Sequence, residues 1–488
     1  MKKTFLFLFS ISCFHVNAAI KQIRWGSSGD PLNGLTVTWS NNGAADSIKW
    51  GYTATFEKGK FLGTKRTGYA SGVSFFKYVF PAVTASTTIY YELYDSGTHA
   101  WGTQSTFTTS PPVNSTTFAF SALGDCRDYP ATLTTISNLV SARKPALTLF
   151  NGDLTLLGNS SSEFDAFFTA ASNFLANNLV YHAEGNHDAA SPSTFSNLFD
   201  LPVTNGTNLY YAVKYGNAIF ITLNTCNPGD AAQLTWLKNT LAAAAADPTI
   251  VWKIVSCHHP FFNTGSHTGD MDAYRSTIWK ACDDYGVDLV FNGHDHNYQR
   301  SKPINLNASP VGTPVSLYGS ATGQGRCEII SGGAGAGLYS QNSSSADAWA
   351  INTFNKNYNY VFCSVQDCKI VITAYGQTNN VIDSFTLDKT GTTGCTTGIA
   401  GVVEKFNPIS VVPNPTAGMF TLHYSSELTG DAIIKIYDMN GKEVASEKIT
   451  KNEKDLVYNY NLANHAKGIY TVSVIMENQK DNVVFILK

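Results

Sequence analysis

The chain has 488 residues, a formal net charge of −3 and 14% charged residues, so it carries neither a basic footprint for nucleic acid nor an acidic tail. Aromatic residues reach 12% alongside abundant Gly, Ser, Thr and Asn, which suits a strand-rich exported protein better than a helical cytosolic one. The length calls for more than one domain.

Residues 1–19 read as a signal peptide. Lys2 and Lys3 form its positive start, Phe5 to Phe14 its apolar stretch, and Val16-Asn17-Ala18 a small-residue cleavage pattern. The apolar run falls short of the ~20 residues a spanning helix needs, and no later stretch supplies a transmembrane segment. Of the nine cysteines, Cys13 leaves with the leader. In an exported chain the others can form disulfides; the one local expectation is Cys363 with Cys368, which flank a short polar turn. No CxxC pair suggests a zinc ribbon.

Residues 20–110 are β-rich. Leu35–Trp39, Ser47–Trp50 and Thr88–Leu93 alternate between apolar and polar, with Gly, Asp and Asn clusters between them. Together with the Gln104–Thr109 strand the pattern resembles a fibronectin type III-like sandwich, expected to act as a scaffold or substrate-flanking module. Pro111 to Ser115 is a linker. Over residues 117–388 buried strands then alternate with helices such as Ala231 to Ala246, which predicts an α/β layered fold.

The strands share one feature: each ends on metal-ligand chemistry. Thr117–Leu123 ends at Gly124-Asp125, and Ala146–Phe150 at Asn151-Gly152-Asp153. Leu179–Ala183 leads to Glu184-Gly185-Asn186-His187-Asp188, Val251–Val255 to Ser256-Cys257-His258-His259, and Asp288–Phe291 to Asn292-Gly293-His294-Asp295-His296. One polar strand end is an ordinary turn, and a histidine there need touch only water. Five in order, each offering an oxygen or nitrogen donor, point instead to a site at the strand ends, where open α/β sheets place their chemistry. Carboxylates, an amide oxygen and imidazoles suit zinc, iron or manganese. Two such ions need a bridging carboxylate and can hold a hydroxide for in-line attack on phosphorus. Asp153 is the natural bridge, with Asp125 and His296 on one ion and Asn186, His258 and His294 on the other. His187 could contact phosphate oxygens, and His267 could protonate the leaving group. His259 and His182 read as packing or hydrogen-bonded residues.

These five blocks resemble those of the calcineurin-like metallophosphoesterases. The sandwich in front, the helix with Gln233, Trp236 and Leu237, and the Ser331–Gly335 turn make the chain most similar to the purple acid phosphatase branch. The resemblance covers residues 20 to about 388. It implies a four-layer β-sandwich flanked by helices, two divalent or trivalent metal ions, and hydrolysis of phosphomonoesters, with diesters or nucleotides as alternatives. Two positions depart from it. The family's iron-binding Tyr, three residues after the bridging Asp, is Leu156 here, and the His that broader members carry two residues after the first Asp is Arg127. Water, Asp128 or a labile metal would then make up the deficit at the first ion, while Arg127 either binds phosphate or is a surface cation. These departures keep open a second class of function, a surface binding protein with a degenerate site.

Residues 389–404 form a low-complexity linker. Residues 405–488 then make a small β-domain with an Asn440-Gly441 hairpin turn. Val412–Gly418, Ile436–Asp438 with Gly441-Lys442, and Gly468–Tyr470 resemble the type A C-terminal sorting domain of the type IX secretion system of Bacteroidota. That implies a partnership with the secretion machinery and delivery to the cell surface or medium. A carbohydrate-binding sandwich is the alternative, less suited to the Pro413-Asn414-Pro415 block.

Overall fold

Strand Leu35–Asn41 is buried along its whole length, and Thr88–Asp95 alternates between buried and half-buried positions, as sandwich strands do when one face meets a second sheet. A computed structural model describes residues 20–390 apart from 42–45, 68–73, 97 and 113–114, together with 395 and 409–488 apart from 413, 427, 440 and 477–478. The expected signal peptide, most of the 389–404 linker, Pro413 and Asn440 therefore lie outside the described residues. The chain divides into two units, one up to Thr397 and one from Gly398 onward.

The first unit opens with a sandwich. One sheet orders Lys21–Ser27, Leu35–Asn41, Ser74–Val79 and Thr64–Thr67. The other orders Gly59–Leu62, Ser47–Gly51, Thr88–Asp95 and Ala100–Trp101, with Ser105–Thr108 also paired to Thr88–Asp95. Trp25 lies at the centre, stacked on Phe107 at 3.9 Å and meeting Tyr91 edge-on at 5.3 Å. The same strand ties the sandwich to the helical segments between residues 172 and 198. Trp25 Nε1 donates to the Ala176 carbonyl (3.0 Å), and Arg24 Nε to the Leu198 carbonyl (2.8 Å). Asp200 accepts from Thr38, Arg66 and Lys77 at 2.6–2.7 Å.

Two larger sheets complete the unit. The six-stranded one orders Val180–His182, Leu147–Phe150, Thr117–Leu123, Asn359–Gln366, Lys369–Gly376 and Val381–Asp388. Its first three strands are parallel. The seven-stranded one orders Tyr211–Tyr215, Ala218–Thr222, Trp252–Ser256, Leu289–Asn292, Cys327–Ser331, Tyr298–Ser301 and Ile351–Asn355. Successive residues of its buried strands belong to different cores. Ile254, Leu289 and Phe291 join the cluster shared with Phe120 and Leu149 of the other sheet. Val255 and Val290 join Leu237, Leu241 and Trp279 of the covering helical segments. Period-two alternation between two apolar cores makes a sheet an inner layer. On the far side, the helix Pro130–Ala142 buries Leu133, Ile136 and Val140. The result is the expected layered β-sandwich flanked by helices.

The helix Ala231–Ala246 has the predicted bounds, and the Asp230 carboxylate caps it by accepting from the Ala232 amide at 2.8 Å. The disulfide expectation is corrected. Cys368 pairs with Cys395, with Cα atoms 5.7 Å apart, and Cys363 is a buried free thiol. Cys363 lies within a hairpin strand opposite Ile372 and points into the core, whereas Cys368 sits at the turn, so the two cannot meet.

The second unit has a three-stranded sheet of Ile409–Val412, Met419–Ser425 and Asp455–Asn461. Its four-stranded sheet orders Glu443–Lys451, Gly430–Asp438, Gly468–Met476 and Gln479–Leu487. Leu422, Tyr424, Ile434, Ile436, Val472, Val474 and Phe485 fill its core.

Candidate metal centre

All five predicted blocks follow the carboxyl ends of parallel strands, three from the six-stranded sheet and two from the seven-stranded one. The turns that carry them are tight. Asp125, Asp153 and His294 all take left-handed backbone conformations, with φ of 61°, 56° and 67°. Such conformations are costly for residues other than glycine and persist where surrounding contacts impose them. Here the contacts are visible: the His294 amide donates to both Asp125 oxygens at 2.9 Å, and the Asp153 amide donates to Asp188 at 2.8 Å. Two glycines permit the approach. A Cβ on Gly293 would lie 2.2 Å from Asp125 Oδ2, and one on Gly185 would lie 2.2 Å from the Asp153 nitrogen.

His258 Nε2 is the shared neighbour of Asn186, His294 and Asp153. His258 Nε2 is 2.9 Å from Asn186 Oδ1, 3.2 Å from His294 Nδ1 and 3.4 Å from Asp153 Oδ1. Donors bound 2.0–2.1 Å from a tetrahedral zinc ion stand about 3.3 Å apart, so the spacing fits a metal. The imidazoles are also set in their ligating tautomers. His258 Nδ1 donates to the Asn151 carbonyl at 2.7 Å, which leaves the Nε2 lone pair facing the site. His294 Nε2 lies 3.1 Å from Asp270 Oδ2, which turns its Nδ1 lone pair inward. Burial lowers the pKa of His258 to about 3 and that of His294 still further, so both rings are neutral, as ligands must be.

Asp125, Asp153 and His296 form a second group, and all three are buried. His296 Nδ1 donates to the Gly337 carbonyl at 2.7 Å, and its Nε2 stands 3.6 Å from Asp125 Oδ1. Burial, then Arg127, lower the pKa of His296 to about 4. Burial and the neighbouring Asp153 push Asp125 well above the usual carboxylate range. This group does not fit a second ion as it stands. Arg127 Nη1 donates to Asp153 Oδ2 at 2.7 Å and lies 3.0 Å from His296 Nε2, on the atoms an ion would use. Leu156, at the family's tyrosine position, is 44% exposed. Asp128 Oδ2 accepts from the Gly337 amide at 2.8 Å, and its Oδ1 lies 3.8 Å from Arg127 Nε. Arg127 is not a surface cation; only 11% of its side chain is exposed.

His187 and His267 flank the centre. The His187 amide donates to Asp153 Oδ1 at 3.1 Å, its Nδ1 to the Leu156 carbonyl at 2.8 Å, and its Nε2 faces Asp153 Oδ2 at 3.9 Å. The His267 ring lies 4.1 Å from that of His294, with Nδ1 3.7 Å from Asp270. The His259 amide and Nδ1 both meet Thr225 Oγ1 at 3.0 Å, and the residue also groups with His258 and His294 as possible ion donors. His182 stacks on Phe199 at 3.8 Å, away from the donors.

Sequence reasoning missed the supporting residues. Asn151 and Gly337 contribute carbonyls, which no side-chain pattern reveals. Tyr339 stacks on His296 at 4.1 Å from a stretch without a motif. Asp188 and Asp295 did carry a signal, since both sit inside the ligand blocks. Asp188 accepts from the amides of Asp153, Leu154 and Gly185, and Asp295 from those of Ser266 and His267 at the head of the His267 loop.

Residues 118–298 match the calcineurin-like phosphoesterase family, and residues 410–488 the secretion system C-terminal sorting domain. Among curated relatives, the chain is 26% identical over 401 residues to probable inactive purple acid phosphatase 27 of Arabidopsis thaliana, covering 72% of this chain and 64% of that one. It is 25% identical over 321 residues to purple acid phosphatase 18 of the same plant, covering 61% and 70%. The chain spans just under two thirds of the length of the first two relatives, at 64% and 66%. In fold it is similar to purple acid phosphatase PPD1 from yellow lupin (Lupinus luteus) seeds, with a TM-score of 0.62 and 18% identity over 76% of this chain and 74% of that one. It is also similar to PhoD, with a TM-score of 0.52 and 15% identity over 75% and 92%.

Proposed function

We propose that this chain, whose residues 118–298 match the calcineurin-like phosphoesterase family and which is similar to purple acid phosphatases, is an exported, metal-dependent hydrolase of phosphomonoesters. Its C-terminal sorting domain indicates secretion or cell-surface localisation through the type IX system. The observation that carries the catalytic reading is the gathering of Asn186, His294 and Asp153 around His258 Nε2, with both imidazoles oriented by an outer partner. An ion held there would supply Lewis-acid stabilisation of a phosphoryl oxygen. Asp125 and His296 lie beside Asp153 on its other side, with Arg127 as their cationic neighbour. The remaining steps fall to the chain's own side chains. His187, fixed through Nδ1, turns Nε2 toward the centre, where it can meet a phosphate oxygen. His267 delivers a proton to the leaving oxygen, and Asp270 holds its Nδ1 side. Phosphodiesters and nucleotides are the alternative substrates within the same chemistry.

A second reading has its own support. The first two curated relatives are described as probable inactive phosphatases, and the chain lacks a tyrosine at position 156. On that reading the protein is a surface binding module. Hydrolysis of a chromogenic phosphomonoester beside the matching diester, with an Asp153→Ala control, separates the two. The enzyme reading expects turnover that falls on the order of 1,000-fold or more in the variant, the scale of losing a fixed electrostatic stabiliser. Absence of turnover with either ester after incubation with zinc, manganese and iron would leave the binding reading.

A further inference from the structure

We propose that the Arg127 guanidinium is the resident cation of the Asp125–Asp153–His296 half of the centre, so that the chain takes up one metal ion and not two. The proposal deepens the metal-dependent reading and rests on it for the single ion.

The geometry is one of competition for the same lone pairs. Arg127 Nη1 stands 2.7 Å from Asp153 Oδ2 and 3.0 Å from His296 Nε2. A metal ion would require those two atoms at roughly 2.0–2.2 Å, which leaves no room for the nitrogen between them. His296 Nδ1 is spent on the Gly337 carbonyl, so its Nε2 can only accept. A guanidinium, which does not lose its proton in proteins, is a permanent donor to it.

The neighbours hold the group in place. Asp128 Oδ1 lies 3.8 Å from Arg127 Nε, while its Oδ2 clamps the Gly337 amide. Tyr339 stacks on His296 at 4.1 Å. At the one position where the resemblance would supply a phenolate to outcompete the guanidinium, Leu156 is 44% exposed and offers no donor.

Charge points the same way. Asp125 and Asp153 are 0% and 1% exposed, and buried carboxylates demand a positive partner. Arg127 supplies one covalently. Leu156 and Arg127 are thus consistent with each other in this chain. A fixed cation stands where the resemblance implies an ion and its anionic ligand.

The test is metal stoichiometry in the full chain. Protein equilibrated with Mn2+ and dialysed is measured by elemental analysis and by electron paramagnetic resonance. Wild type should hold about one ion per chain, with the hyperfine pattern of an isolated Mn2+. His258→Ala should hold close to none. Arg127→His, which restores an imidazole donor, should hold about two and show the spectrum of an exchange-coupled pair. Arg127→Ala, which needs no new packing, should also gain a second ion and covers the case in which the histidine variant does not fold. Two ions in wild type, or no gain in either folded Arg127 variant, overturns the proposal. Phosphoester hydrolysis is read on the same samples to separate the two readings. Two ions with turnover removes this inference and leaves the phosphoesterase standing. One ion without turnover supports the guanidinium and removes catalysis. A wild type that binds no ion removes both.

Discussion

His182 illustrates how little a histidine's identity says about its role. It lies inside the predicted strand Leu179–Ala183 and close to a ligand block, yet its ring is 2% exposed and stacked between Phe150 and Phe199. Burial, and then Arg24, bring its pKa down to about 3. The unfolded chain therefore binds a proton that the folded chain refuses between about pH 6.5 and 3. Stability from this residue is complete above pH 6.5 and is lost as pH falls toward 3. At pH 5 the loss amounts to about 2 kcal/mol, from roughly 1.4 kcal/mol per pKa unit. His182→Phe should flatten this acid limb by that amount while leaving pH 8 stability nearly unchanged. Urea unfolding of both proteins at pH 5 and 8 measures it; equal slopes with pH would rule out the assignment. The pH sensitivity could not be read from the sequence, because it depends on aromatic neighbours 32 and 17 positions away that only the fold brings together.

At the scale of the element, a strand end is useful here because it must turn sharply. The turn after Leu289–Asn292 places Gly293 where its Cβ would strike Asp125 Oδ2, and it puts His294 in the left-handed region. Gly293→Ala must therefore move either Asp125 or the turn that carries both histidines. We expect a stability loss on the order of 1–3 kcal/mol, as for other overpacked sites, and loss of bound metal with it. Thermal unfolding and elemental analysis check both effects; an alanine variant with wild-type metal content would show that the turn has more freedom than its contacts indicate. The strand-end blocks were legible in the sequence because alternation ending in Gly and a polar residue is a local signal. Tyr339 and the Gly337 carbonyl were not, since they reach His296 from more than forty residues away on a stretch with no periodicity.

At the scale of the whole first unit, the N-terminal sandwich is tied to the layers that carry the metal centre through Asp200. Burial alone would raise its pKa, but Arg66 and Lys77 hold it below the usual carboxylate value, and Thr38 adds a hydrogen bond. Both cations are about one quarter exposed, so their charge is partly screened and can return to water when the carboxylate is removed. Asp200→Ala should accordingly cost on the order of 1–3 kcal/mol, the scale of a part-buried hydrogen-bonded charge, and less at high salt. Limited proteolysis and denaturant unfolding at low and high salt would register the loosened sandwich. Phosphoester turnover should change little, because Asp200 touches none of the candidate ligands.

Much of this protein was determined by sequence alone: the layered α/β fold, the order of the five donor blocks, the capped helix Ala231–Ala246 and the sorting domain. Each rests on periodicity or on residues within a few positions of one another, which a linear reading captures. The tertiary structure decided what those blocks enclose. It paired Cys368 with Cys395 across a separation of 27 residues, where proximity in sequence favoured Cys363. It also brought Arg127 to His296, 169 positions away, turning an apparent gap in the ligand set into a site with its own charge. Local propensity selects a strand and its turn, but which side chains share a buried charge is settled only when separate strands are packed side by side.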